Sequence, residues 1–214
     1  MDQGVLEALA EARTLGFLGP GPIEDHVAHA GVFAEALHDV LGTPEFGRPS
    51  GKVQALDLGS GGGVPGLLLA WWFPDVRWVL LDVHRRRTSF LTRAVAELGW
   101  AGRVAVARRE AAEAGVDPEL RARCAVVTAR SFGPPARTAE CGAAFLAEQG
   151  RLLVADPPEG RGERWPADGL AALGLEDDGL RQSAAGTVRM LRQTQPLNPR
   201  FPRPRRKMEQ QPLW

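Results

Sequence analysis

The 214-residue chain has no tyrosine, three methionines, two cysteines and an aromatic content of only 7%. Cys124 and Cys141 lack metal-ligand spacing, and Cys124 falls in an apolar strand pattern. Both read as reduced thiols, and no metal site is expected. No apolar run approaches the roughly 20 residues needed to span a bilayer. The start, Met1-Asp2-Gln3, lacks the basic and apolar regions of a signal peptide, so the expected location is cytoplasmic. Charge of either sign is not in excess, with 26 Lys+Arg against 26 Asp+Glu. That balance argues mildly against a nucleic-acid partner. No internal repeat is visible. Missing tyrosine with Arg-heavy, Ala/Gly-rich usage suggests a high-GC genome and says nothing of function. What remains, 44% hydrophobic and 24% charged, is ordinary globular material: one domain with extensions.

The charge is unevenly placed. Arg189 to Lys207 holds seven basic residues and no acid, and Arg85-Arg86-Arg87 with Arg93 forms a second knot. Such clusters can contact phosphates or can simply be solvated faces. Apolar periodicity predicts helices over 5–18 and 24–41, then a Pro/Gly linker from Gly42 to Gly51. Thereafter strands (53–58, 76–82, 103–108, 123–128, 150–155) alternate with helices (65–72, 86–98, near 110–115, 135–147, near 167–173). A final hairpin is expected at 175–181 and 187–194, and no regular structure in the last fourteen residues. Alternation of this kind specifies an α/β fold, a mostly parallel seven-stranded sheet with helices on both faces and an N-terminal helical extension. The expected boundaries are a helical cap over 1–50, the sheet domain over 51–197 and a basic tail over 198–214. Ligands bind at the carboxyl ends of such strands, which selects Asp57 to Gly63, Asp82 to Arg87, Arg108 to Glu110, Thr128 to Phe132 and Asp156 to Pro158.

The most informative segment runs from Leu56 to Gly66. An apolar strand ends in Asp57, enters a glycine-rich turn and reopens as an apolar helix. Glycines let backbone approach a ligand, and a helix N-terminus offers free N–H groups. A P-loop would need Gly-Lys-Ser/Thr where Val64-Pro65-Gly66 stands. A dinucleotide fingerprint on Gly59 and Gly61 would put Val64 at its third glycine. Some two dozen positions on, a second acid, Asp82, ends the next strand, where it can accept both hydroxyls of a ribose.

The form Asp57-x-Gly59-x-Gly61 with Gly66 resembles motif I of class I S-adenosylmethionine methyltransferases, which have a Rossmann-like fold. Four segments together resemble the bacterial 16S rRNA guanine-N7 methyltransferases, the RsmG/GidB family. They are Leu58 to Leu67 with its Pro65-Gly66 helix opening, Leu81 to Leu91, Thr128-Ala129-Arg130-Ser131-Phe132, and the tail from Phe201 to Leu213. The stretch from Leu18 to His29 is similar to the family's helical cap. This resemblance implies S-adenosyl-L-methionine as cofactor and small-subunit rRNA, or the assembled subunit, as partner, without metal or membrane. It places the cofactor against Asp57, Gly59, Ser60, Gly61, Gly63, Pro65, Gly66, Asp82, Val83, Arg87, Glu110, Ala111 and Arg130. RNA contacts fall to Arg86, Arg200, Arg203, Arg205, Arg206 and Lys207.

This chain departs from the family at the ends of its strands. Ala155-Asp156-Pro157 stands where the family has Leu-Lys-Gly, Glu110-Ala111-Ala112-Glu113 offers two registers for an Ala-Glu pair, and Arg206-Lys207-Met208-Glu209 replaces a Gly-x-Pro. Asp156 and Arg130 are the candidate catalytic residues. Asp156 either accepts from a guanine edge or caps the turn before its prolines. Arg130 is either a cation for the cofactor carboxylate or a phosphate, or a surface residue. His26 and His29 read as packing or capping, and Trp71, Trp72 and Trp78 as core. Guanine N7 has a lone pair and no proton, so the implied reaction needs alignment rather than a base. Two alternatives are a relative acting on a small-molecule acceptor, such as a nucleobase-containing or secondary metabolite, and a degenerate RNA-binding relative.

Overall fold

The computed structural model describes residues 2–43, 53–157 and 164–214. Most of the Pro/Gly linker, and Pro158, lie outside these. Among the described residues no helix is long and apolar enough to cross a membrane, and no His/Cys/Asp/Glu group is arranged to hold a metal.

Helix α1 (Gln3–Thr14) starts at Asp2, whose carboxylate accepts the Gly4 and Val5 amides at 3.0 and 3.3 Å. It stops four residues earlier than its apolar pattern suggests. Gly16 takes a left-handed conformation, and the Phe17 and Gly16 amides return to the Ala12 and Arg13 carbonyls, a Schellman closure. Phe17 and Leu18 are thereby released from the helix and laid across the glycine turn. A Cβ on Gly62 would come within 2.7 Å of the Leu18 side chain and 3.0 Å of the Phe17 carbonyl oxygen. Helix α2 (Ile23–Leu41) buries Ala30, Phe33, Ala36, Leu37 and Val40, a stripe at helical spacing.

The sheet follows as β1 (Gln54–Leu58), β2 (Arg77–Asp82), β3 (Val104–Arg108), β4 (Cys124–Ala129), β5 (Leu146–Asp156), β6 (Leu175–Ser183) and β7 (Gly186–Gln193). Its order is β3-β2-β1-β4-β5-β7-β6, with the first five strands parallel and the β7 pairings antiparallel. The chain reverses its direction of travel between β1 and β4, and a crevice opens there. Crossovers are α3 (Gly66–Trp72), α4 (Arg85–Glu97), α5 (Ala111–Ala114), α6 (Pro135–Ala143) and α7 (Ala167–Ala171).

Strand periodicity divides the core into two layers. Ala55, Trp78, Leu80, Val126 and Leu153 pack with α2, α3 and α4 on one face. Leu56, Leu58, Leu81, Val127, Leu152 and Val154 pack with α5 and α6 on the other. Trp78 is core as expected, whereas Trp71 and Trp72 are half-buried against the helical cap. Cys124 and Cys141 are free and buried, and burial pushes both thiols up to about 12.

Two further expectations are corrected. Helix α6 ends at Ala143 rather than 147, and Leu146 already pairs with Cys124, because β5 runs longer than its apolar pattern. The C-terminal residues carry a helix, α8 (Arg205–Gln210), rather than irregular chain. Phe201 and Met208 anchor this segment in the core, and composition hid it because prolines surround it.

Candidate functional site

The glycine turn closes on the second acid. Gly61 donates its amide to Asp82 Oδ2 at 2.9 Å, and His84 donates to Asp82 Oδ1 at 2.8 Å. Each carboxylate oxygen keeps lone-pair capacity beyond these bonds. The Arg87 guanidinium stands 3.8 Å from Oδ2, a loose pair. Ser60 Oγ donates to the Asp57 carbonyl at 2.9 Å, and the Gly63 amide to the Ser60 carbonyl at 2.7 Å, so the turn is braced internally.

A cavity opens beside this turn. Gly59, Asp82, Val83, Arg87, Glu110 and Ala111 line it as the sequence suggests, joined by His84, Arg109, Ser131, Phe132, Arg137 and Arg205. Gly59 has φ +76° and lies against Phe132, whose ring a Cβ would approach to 2.8 Å, so only glycine fits. Val83 is 46% exposed, an apolar side chain in the cavity wall. Glu110 caps α5, accepting the Ala112 and Glu113 amides at 2.7 and 3.2 Å through one oxygen. Acceptor carboxylates, an apolar platform and a cradle without Cβ atoms fit a nucleoside.

Asp57, Ser60, Gly61, Gly63, Pro65, Gly66 and Arg130 do not line this cavity. Pro65 and Gly66 start α3 instead. Asp57 lies fully buried beneath the turn, where Thr128 Oγ1 donates to its Oδ1 at 2.7 Å and Oδ2 has no hydrogen-bond partner. Burial raises its carboxyl to about 6, opposed by the Thr128 and Ser60 hydroxyls, the Gly66 amide and the Arg130 charge.

Arg130 is neither surface residue nor cavity wall. Its Nη2 donates to His26 Nδ1 at 2.5 Å, while His26 Nε2–H donates to the Gly19 carbonyl at 3.1 Å. The partners assign the ring its Nε2–H tautomer. His26 thus joins the cap to the end of β4. Arg130 Nη1 is buried without a hydrogen-bond partner, and desolvation lowers the guanidinium pKa against the opposing pull of Asp57. Burial first, then the charges of Arg130 and His26, lower the His29 pKa.

A second cavity shares Ser131 and Phe132 with the first, and His29, Asp156, Arg164 and Trp165 form much of its far wall. Asp156 is buried there among cations and an indole N–H. Arg164 Nε lies 3.1 Å from Oδ1, Arg189 Nε 3.5 Å from Oδ2, and Trp165 Nε1 donates to Oδ2 at 3.2 Å. Oδ2 is engaged by the Trp165 donor, Oδ1 has the Arg164 charge beside it but no hydrogen bond, and Arg164 faces the cavity.

The tail is similarly engaged. Arg203 donates its amide at 2.7 Å and its Nη2 at 2.6 Å to the fully buried Glu140. Arg200, Arg206 and Lys207 are exposed, as is Arg86, which lies 5.8 Å from the Phe17 ring centroid. Sequence reasoning selected the segment from Thr128 to Phe132 but missed Arg137, Arg164 and Trp165, which carried no local signal.

Known proteins are similar to this chain in architecture and in sequence. The family model described as rRNA small subunit methyltransferase G (GidB) matches residues 32–156. Proteins named Ribosomal RNA small subunit methyltransferase G are similar to this chain in three organisms. In Frankia alni identity is 36%, covering 69% of this chain and 55% of the relative. In Cupriavidus pinatubonensis it is 33%, covering 71% and 63%. In Streptomyces coelicolor it is 33%, covering 85% and 72%. The chain therefore spans less than two thirds of the first two of these relatives. Among solved structures, mitomycin 7-O-methyltransferase MmcR superposes with a TM-score of 0.58 at 19% identity, covering 78% of this chain and 53% of that one. Geranyl diphosphate methyltransferase gives 0.53 at 15%, covering 77% and 78%. At such identities these likenesses establish the class I methyltransferase fold alone. The family match over more than half of the sequence, with relatives at 33% identity and above, shows that this chain belongs to the rRNA small subunit methyltransferase G family.

Proposed function

We propose that the chain is an S-adenosyl-L-methionine-dependent methyltransferase acting on N7 of a guanine in small-subunit rRNA. Family membership supports the activity and acceptor class. The observation that carries the cofactor is the closed pair of glycine turn and Asp82 at one cavity. Asp82 would accept the ribose hydroxyls with the lone pairs its two amide bonds leave free. Val83 and Phe132 would enclose the base, with Glu110 and Ala111 at its edge. S-adenosylmethionine supplies an electrophilic methyl group when bound.

Guanine N7 attacks with its own lone pair, so the residues of this chain need remove no proton. Their tasks are to hold the acceptor in line and to exclude water. The second cavity is the acceptor's place, adjoining the first through Ser131 and Phe132. Asp156 holds Arg164 there as a recognition cation, rather than touching the base itself. Half-buried Arg130, held by His26, would supply positive charge near Asp57 at the end of β4. Arg86, Arg200, Arg206 and Lys207 stay exposed for RNA phosphates, and each phosphate contact adds about one unit to the salt slope of binding.

The test is transfer of labelled methyl groups to small ribosomal subunits from a strain lacking this gene. Label recovered as N7-methylguanosine is the expected result. Absence of transfer to the subunits and to their naked RNA, with cofactor bound, would overturn the acceptor assignment.

A further inference from the structure

The basic tail reads as an RNA arm in sequence, yet the fold binds it to the nucleoside cavity. Three contacts tie it down. Phe201 and Met208 are 1% and 3% exposed, the buried Glu140 takes Arg203, and Arg121 Nη1 donates to the Phe201 carbonyl at 2.8 Å. A segment so anchored has one geometry, and that geometry brings the first residue of α8, Arg205, into the wall that also contains Asp82, Val83, Glu110 and Phe132.

The Arg205 guanidinium is oriented there. Its Nε donates to Glu209 Oε1 at 2.7 Å, one turn along the helix, and its terminal nitrogens make no hydrogen bond to a described residue. Glu209 also faces Arg137 at 3.5 Å, and Arg137 in turn donates to the Phe132 carbonyl at 2.8 Å with its guanidinium carbon 5.1 Å from the Phe132 ring centroid. Helix α8 thus supports the Phe132 wall and presents a planar cation to the same cavity. A guanidinium fixed at Nε suits an aromatic heterocycle, through its face or through donors to ring nitrogens. From this juxtaposition we infer that Arg205 binds the adenosine portion of the cofactor, so that the C-terminal helix is part of the nucleoside site and not a free RNA arm. The inference rests on the cofactor reading above.

Calorimetric titration of the full chain with S-adenosylhomocysteine tests it. Arg205→Met keeps a helix-compatible stem and removes the planar cation, and it is expected to weaken binding about fivefold or more. Arg205→Lys keeps charge and helix but not the plane, and is expected to weaken it about threefold. Arg206→Met, on the same helix but outside the cavity wall, is expected to stay within about twofold. Melting curves matching the unaltered chain guard against misfolding, and should Arg205→Met melt early, Arg205→Lys decides. Unchanged affinity in the Arg205 variants overturns the inference and leaves the cofactor reading intact. So does unchanged affinity joined to a loss of about one unit in the salt slope for an rRNA fragment, which would return Arg205 to RNA. Failure of the unaltered chain to bind S-adenosylhomocysteine would instead overturn the cofactor reading itself, and this assignment with it.

Discussion

The two halves of the crevice are built on different physics. On the β1–β2 side the ligand-facing groups are backbone amides, an exposed valine and one carboxylate held by two amides. Its nearest ion pair, Asp82–Arg87, is loose at 3.8 Å. On the β4–β5 side charged side chains face one another around buried groups: Asp156 with Arg164, Arg189 and Trp165, and half-buried Arg130 with His26. The first arrangement is local in sequence and suits any nucleoside. The second depends on residues brought from far apart in the chain. The β1–β2 side is thus held together by backbone amides, whereas the β4–β5 side is held together by side-chain charges.

Removing Asp156 should break the β4–β5 half most severely. Asp156→Ala removes a buried carboxylate that faces Arg189 and accepts from the Trp165 N–H, while Arg189 keeps its bond to Asp177, and the expected loss is about 3 kcal/mol in chemical denaturation. S-adenosylhomocysteine affinity of the folded fraction should hardly change. A loss confined to affinity, with stability intact, would erase the distinction between the halves.

The reciprocal change is Asp82→Ala. It strips a charged acceptor from the cavity and releases the Gly61 and His84 amides, so calorimetry should show about a hundredfold weaker binding. Unchanged affinity would remove Asp82 from the ribose.

Asp57, beneath the turn and bonded to Thr128, belongs to both halves and sharpens the boundary through pH. Burial favours its uncharged form and raises its carboxyl from 3.8 to about 6. Below about pH 4 the group is protonated folded and unfolded, and no penalty arises. As pH rises through about 6 the folded state must bury a carboxylate, and stability falls by at most about 3 kcal/mol. Asp57→Asn should abolish this decline in melts recorded between pH 4 and 7. An identical pH profile in the variant would show that the carboxylate is not buried as described.

The smallest effect is expected outside both halves. The exposed Arg93–Glu11 pair joins α4 to α1, and Arg93→Ala should cost less than about 1 kcal/mol in the same melts. A larger cost would mean that surface charge, rather than the buried network, holds the cap in place.

Much of the cofactor half was legible before folding. Asp57, Gly59, Gly61, Asp82 and Val83 stand within two strand–turn units, where chain spacing alone brings them to one sheet edge. The alternation of patterns also dictated the mostly parallel sheet, whereas its strand order and switch point came from the fold. Legibility failed where position depends on packing. His26 reaches Arg130 across 104 residues, and no local pattern anticipates that bond. Arg164 and Arg189 look like solvated charges in sequence and become partners of one buried acid only when β5 and β7 pair. The tail misled most, because its prolines and arginines resemble disordered chain until Glu140 is seen to be buried and in need of a cation.

Local order, then, was the sequence's own determination. Strand and helix periods, the glycine turn and the acid ending β2 are set by neighbours a few residues apart, whose conformational preferences do not wait for the rest of the chain. Tertiary structure alone decided which charges are partners and which remain free. A carboxylate or guanidinium is a solvated surface group or a buried anchor according to the desolvation it meets, and desolvation depends on everything packed around it.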